Sequence, residues 1–256
     1  MKNLRKYGIR PFSVAVVHGG PGAPGEMAPV ARKLSKYMGV LEPLQSRKTL
    51  EGQVKELKNV LENNACMPVT LIGHSWGAML CFIFAALNPK LVGKLILISS
   101  GVFEDKYAAG IMKTRLARLK GTDLKAVEYV FKGDIKVSSR IFERFGRLVK
   151  KADSYDLVPS KNEVIKCDYR MYNGVWKDAQ RLRASGKLIL LGKRVKCSVT
   201  AIHGSYDPHP AEGVRTPLSG VLKDFKFILL DKCGHYPWLE RAAKSRFYEV
   251  LIKELQ

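Results

Sequence analysis

No stretch of this 256-residue chain approaches the roughly 20 consecutive apolar residues that a membrane-crossing helix requires. The N-terminus, MKNLRKYGIRPFSVAVVHGG, has basic residues but only the short apolar run FSVAVV behind them. A secretory signal needs a longer apolar core and a small-residue cleavage site, so FSVAVV reads as a first strand. Cysteine is sparse. Cys66, Cys81, Cys167, Cys197 and Cys233 are scattered, with no C-x-x-C and no dense Cys/His cluster. Neither a disulfide framework nor a structural zinc site is expected, and buried free thiols in a reducing cytoplasm are. Acidic residues are also few: 23 Asp and Glu face 44 Lys and Arg, for a net charge of +21. The excess is +8 over residues 1–100, +12 over 101–200 and only +1 over 201–256. A basic field can attract nucleic acid, anionic lipid or acidic substrates. Here the cations are interspersed with acids and no nucleic-acid motif accompanies them, so a solvated surface and no nucleic-acid partner are expected.

What is present is a rhythm of short apolar strands and helical patterns, in a chain that is 46% hydrophobic. FSVAVV (12–17), GVLEPL (39–44), PVTLIG (68–73), KLILIS (94–99), SVTAIHG (198–204) and FKFILLD (225–231) read as strands. MAPVARKLSKYM (27–38) and LEGQVKELKNVLEN (50–63) have helical spacing. Trp76 to Leu87 is nearly all apolar, hence a buried helix stopped by Asn88-Pro89. A last helix is expected from Pro237 to Glu254. Apolar strands alternating with helices predict an α/β fold, a mostly parallel sheet with helices on both faces. Residues 103–185 break the rhythm with helical, charged sequence and no convincing strand. They are expected to form a helical insertion between two strands of a core made of residues 1–102 and 186–256.

Ligands of parallel α/β sheets bind beyond the carboxyl ends of the strands. His18, His74, His203, His209 and His235 all fall just past a strand or in the loop after it. Gly73-His74-Ser75-Trp76-Gly77, between a buried strand and a buried helix, is the context of a nucleophile elbow. A serine nucleophile needs a base, and the base needs an orienting acid. His235 in DKCGHYPWLE and Asp207 in HGSYDPHP fill those roles, in the chain order Ser75, Asp207, His235. Asp231 is a rival acid that lies too near the strand end and too close to His235. Oxyanion donors are expected from the backbone N–H groups of Trp76 and of Gly20, the latter in the loop HGGPG (18–22). His18 is expected to brace that loop, and His209 to be a loop residue.

Together HGGPG, GHSWG (73–77), HGSYDPHP (203–210) and CGHYPW (233–238) resemble the α/β-hydrolase-fold serine hydrolases. Pairing HGGPG with G-x-S-W-G most resembles the proline iminopeptidase branch, in which a helical insertion caps the active site; the resemblance implies that residues 103–185 are this helical cap. The usual D-x-R-G-x-G-x-S stretch of that branch is replaced here by EPLQSRKTLEGQ. Only 17 residues precede His18, so the leading antiparallel strands are expected to be missing or reduced.

The expected activity is cytoplasmic hydrolysis of a small-molecule ester, amide or related acyl substrate through an acyl-enzyme, with no metal and no cofactor. The rivals are an iminopeptidase-like aminopeptidase, a non-catalytic binding protein on the same scaffold, and a basic nucleic-acid binder. An aminopeptidase needs carboxylates for the substrate amine, and Glu104, Asp105, Glu128, Glu163 and Asp168 are the cap's candidates. Phe103, Tyr129, Phe131, Tyr169, Tyr172 and Trp176 are its candidate pocket aromatics.

Overall fold

The computed structural model describes residues 3–131, 138–159 and 168–256. Seven strands form one sheet: β1 (Leu4–Tyr7), β2 (Phe12–Val17), β3 (Gly39–Pro43), β4 (Val69–His74), β5 (Val92–Ile98), β6 (Ser198–Gly204) and β7 (Phe225–Leu230). Their order is β1-β3-β2-β4-β5-β6-β7. β1 pairs antiparallel with β3, through Leu4 opposite Pro43 to Tyr7 opposite Val40. All other neighbours are parallel. β1 is a four-residue antiparallel edge strand, too polar to stand out in the sequence.

The ten α-helices of the described residues are α1 (Ala28–Leu34), α2 (Leu50–Asn64), α3 (Trp76–Leu87), α4 (Ala109–Ala117), α5 (Gly121–Phe131), α6 (Ser139–Ala152), α7 (Tyr169–Ala184), α8 (Lys187–Leu190), α9 (Glu212–Val221) and α10 (Lys244–Leu255). The strands are apolar on both sides because each side is covered. Ala15, Val17, Leu71, Leu95, Leu97, Val199 and Ala201 pack on the α2, α3 and α7 side. Val14, Val16, Ile72, Ile96, Ile98 and Ile202 pack with α1 and α10 on the other. α3 buries Trp76 through Ala86 without a break, which explains its uniformly apolar sequence.

Residues 103–185 contain α4 to α7 among the described residues. α4, α5 and α6 share a small cluster around Leu119, Val127 and Ala152. α7 instead joins the main core through Met171, Val175 and Ala179.

Three expectations need correction. The helix expected over 27–38 ends at Leu34, and the chain turns through Ser35–Met38 before β3. The last helix does not start at Pro237: Pro237–Leu239 form a single 3₁₀ turn, and α10 begins at Lys244. The cause is Glu240, fully buried and in an extended conformation. Its carboxylate accepts the N–H groups of Gly234, Tyr155 and Asp156, and its backbone bridges Leu157. Those bonds divert the chain before a helix can continue. α9 was not expected at all, because EGVRTPLSGV contains two glycines and an internal proline. Burial of Val214, Pro217 and Leu218 overrides that poor propensity.

Candidate active site

β4 ends at His74, and α3 begins at Trp76. Between them Ser75 has φ 53 and ψ −116, a sparsely populated conformation for a residue with a side chain, costing of order 1–3 kcal/mol. Its N–H is fixed to the Ile98 carbonyl at 2.9 Å. The turn is tight enough that a Cβ on Gly73 would strike the Gly77 carbonyl, and one on Gly77 the Val17 carbonyl. Ser75 makes no capping bond to α3 and is half-buried. The Trp76 indole, unassigned by sequence, donates to Gln53 Oε1 of α2 at 2.8 Å, locking the helix start from below.

The loop after β2 runs directly beside this turn. A methyl group on Gly19 would lie 3.1 Å from Ser75 Cβ and 3.0 Å from His74 Nδ1. Gly20 has φ +109, a backbone region that essentially only glycine enters. The Gly19 N–H donates to Glu26 Oε2 at 3.0 Å. His18 braces the loop as expected. Its Nε2 accepts from the Gln45 N–H at 3.1 Å, which assigns the proton to Nδ1, and Nδ1 donates to the Gly19 carbonyl at 2.9 Å. Burial holds this imidazole below its ordinary pKa, so the ring is a neutral strut.

Asp207 and His235 come together from two loops, after β6 and after β7. His235 Nδ1 donates to Asp207 Oδ2 at 2.6 Å, and both residues are buried. Burial alone would lower the His235 imidazole, but the charge of Asp207 and this hydrogen bond outweigh it and raise the pKa. Burial opposes ionisation of Asp207 too. The nearby His235, His209 and His203 rings outweigh it and hold the carboxyl well below its ordinary range. Asp231, the rival acid, is exposed.

His209 is more than the loop residue expected. Its N–H and its Nδ1 both donate to Asp207 Oδ1, at 2.9 and 2.8 Å. Burial pushes its pKa down to about 4, so it is a neutral donor. His203 Nε2 donates to the His209 carbonyl at 2.8 Å. Asp207, His209 and His235 offer ligand-type atoms within 4.8 Å of one another. Both ring Nδ1 atoms are committed to Asp207, so the three residues form one hydrogen-bonded cluster.

His74 links the two halves of the site. Its Nδ1 lies 2.9 Å from Glu26 Oε2 and its Nε2 donates to the His235 carbonyl at 2.9 Å. The His74 and His235 rings are 4.9 Å apart. Burial would raise the Glu26 carboxyl, but His74 and the Gly19 N–H bring it down to about 2. Glu26 thus touches the glycine loop and the elbow at once. Sequence reasoning missed it, because nothing in HGGPGAPGE marks a glutamate seven residues beyond Gly19 as a partner of His74.

The His235 loop is fastened to the segment after α6. His235 N–H donates to the Asp153 carbonyl at 2.8 Å. The buried Asp153 carboxylate accepts from Arg115 Nε and Nη2, at 2.7 and 2.6 Å. Lys150 of α6 places Nζ 5.0 Å from the Tyr236 ring centroid. Three of the candidate amine-binding acids are paired elsewhere. Glu104 pairs with Lys106 at 2.8 Å, Asp105 with Arg183 at 3.0 Å, and Asp168 caps α7 by accepting from Arg170 and Met171 N–H. Glu128 is half-buried on α5, and Glu163 lies outside the described residues. Of the aromatics, Phe103 packs on Phe82 in the core, and Tyr169 and Tyr172 gather around Phe142. Trp176 stacks on Tyr172, while Tyr129 is exposed.

A sheet of this order with a serine on a strained strand-to-helix turn defines a class of protein, and the comparisons name it. The alpha/beta hydrolase fold family matches residues 43–242, and the chain belongs to that family. Membership supports a hydrolase. No curated protein matches the chain by sequence. Among solved structures, VinJ is similar with a TM-score of 0.71 at 18% identity, over 98% of this chain and 93% of that one. A proline iminopeptidase from Mycobacterium smegmatis gives 0.66 at 16%, over 98% and 93%. A thermophilic esterase from Thermogutta terrifontis gives 0.64 at 17%, over 98% and 92%. At these identities the likeness is one of fold.

Proposed function

We propose that this chain is a serine hydrolase acting on a small acyl ester or related substrate. The reading rests chiefly on His235, whose Nδ1 is held by Asp207 at 2.6 Å. That bond fixes the tautomer and leaves Nε2 to act as the base. Ser75 Oγ attacks the acyl carbon and gives its proton to His235 Nε2. The imidazolium, stabilised by Asp207, then protonates the leaving group, and an acyl-enzyme remains. Water, deprotonated by the same His235, releases the acid and restores Ser75. The oxyanion is held by the N–H groups of Trp76 and Gly20. Trp76 stands at the start of α3, where N–H groups lack intrahelical partners. Gly19 is the less suitable neighbour, since its N–H already serves Glu26. Donors of this kind contribute roughly 3–4 kcal/mol each. No metal or cofactor takes part in this chemistry.

We assign residues 103–185 as the cap over this site. Asp153 from that segment bonds the His235 backbone, which supports the assignment. An ester or thioester is favoured over an aminoacyl amide, because Glu104, Asp105 and Asp168 are already paired and cations stand near His235. The unpaired state of Cys66, Cys81, Cys197 and Cys233 supports a reducing, cytoplasmic setting.

The test is labelling with a fluorophosphonate probe beside hydrolysis of a panel of short esters and aminoacyl amides. Wild type should label and turn over esters, and Ser75→Ala should do neither. A wild type inert to the probe and to every ester would refute the reading. Release of proline from a prolyl amide, with esters untouched, would replace it with an aminopeptidase.

A further inference from the structure

Lys150 stands one aromatic ring away from the proposed base. Its Nζ lies 5.0 Å from the Tyr236 centroid, and Tyr236 lies 5.2 Å from the His235 ring and 5.3 Å from the His74 ring. The side chain is half-buried, and no acid pairs with it among the described residues. Burial lowers its pKa, and Glu26 is the acid whose charge counters that. The Glu26 carboxylate is already committed to His74 and to the Gly19 N–H. The neighbouring cation Arg115 is different, because Asp153 neutralises it with two hydrogen bonds. A half-buried ammonium that has lost hydration and gained no counter-ion is suited to an arriving anion.

The outside of the same helix is basic. Arg140, Arg144 and Arg147 are exposed on α6 at helical spacing, with Glu143 the helix's only acid. Such a stripe beside a site raises the encounter rate of anions. It also gives a use to part of the +12 excess over residues 101–200.

We propose that Lys150 forms an anion-binding subsite and that the substrate is a short acyl ester or thioester carrying a second, free carboxylate. One unpaired ammonium matches one carboxylate. The inference rests on the serine hydrolase reading for the reacting bond, but the subsite can be measured without turnover.

The binding arm titrates wild type, Ser75→Ala, Lys150→Met and Lys150→Arg with the monomethyl esters of succinate, glutarate and adipate. At least one should bind wild type and Ser75→Ala alike. Its affinity should fall about tenfold in Lys150→Met, the size of one partly exposed charged hydrogen bond, and be largely restored in Lys150→Arg. The kinetic arm compares kcat/KM for aryl esters of equal length ending in carboxylate or in methyl ester. The anionic-to-neutral ratio should fall about tenfold in Lys150→Met, and only the anionic ester should lose rate steeply with added salt. Equal binding of all three monoesters to wild type and Lys150→Met, or an unchanged ratio, would overturn the subsite. Anion binding that depends on Lys150 in a protein that fails to label at Ser75 would uphold the subsite and overturn the hydrolase reading instead.

Discussion

His209 lies stacked on His235, with ring centroids 4.7 Å apart and planes inclined by 28°, and the two rings donate to opposite oxygens of Asp207. The carboxylate is therefore held from both sides, and His209 acts as a positioning residue for the proposed acid. Its depressed pKa has a thermodynamic consequence. Between about 4 and 6.5 the unfolded chain binds a proton at this residue that the folded chain does not, so stability falls as pH falls through that window. The contribution is of order 3 kcal/mol. Denaturant titrations at pH 7 and pH 5 should show a drop that is clearly smaller in His209→Gln. Equal drops would show that the ring is not buried neutral.

His235 behaves in the opposite sense, and its effect is kinetic. Its folded pKa is raised above 6.5, and only the neutral ring can take the Ser75 proton. The kcat/KM of a neutral ester should rise with pH to a plateau, with an apparent pKa above 6.5. Asp207→Asn should collapse the rate by several orders of magnitude, since it removes the acceptor that sets the tautomer. A pH-independent rate across this range would rule out His235 as the base.

Glu26 touches no reacting atom, yet it holds both Gly19 and His74. Glu26→Gln retains one acceptor oxygen and loses the charge. It should lower kcat roughly 10- to 100-fold by loosening the donor loop against the elbow, with KM little changed. A change confined to KM, or a loss matched by Glu26→Asp in stability alone, would mean that the residue only supports the fold.

Gly77 faces the Val17 carbonyl so closely that a Cβ cannot be placed without moving β2 or α3. Gly77→Ala should destabilise the protein by about 3 kcal/mol, seen as a lower denaturation midpoint. It should also reduce labelling of Ser75 in whatever fraction stays folded. A variant as stable as wild type would show that the turn between β4 and α3 has room for a methyl group.

Much of this was legible in the sequence because the governing physics is local. A buried strand on a two-sided sheet is apolar on both faces at most positions, so FSVAVV, PVTLIG and SVTAIHG stand out in the sequence. The strained Ser75 turn needs small neighbours at fixed spacing, which Gly73 and Gly77 supply. The order of Ser75, Asp207 and His235 follows from the order of the strands whose ends they occupy.

What the tertiary structure alone decided is which polar groups meet across large separations. Glu26 with His74, His209 beside His235, the Asp153 carbonyl under the His235 N–H, and Glu240 delaying the start of α10 are contacts that bring distant segments together. No periodicity encodes them, since any acid or histidine at a loop end looks the same along the chain. The same holds for Lys150. In the sequence it is one of 44 cations, and only folding brings its ammonium to the Tyr236 ring with no counter-ion among the described residues, because a charge's environment is set by what packs around it.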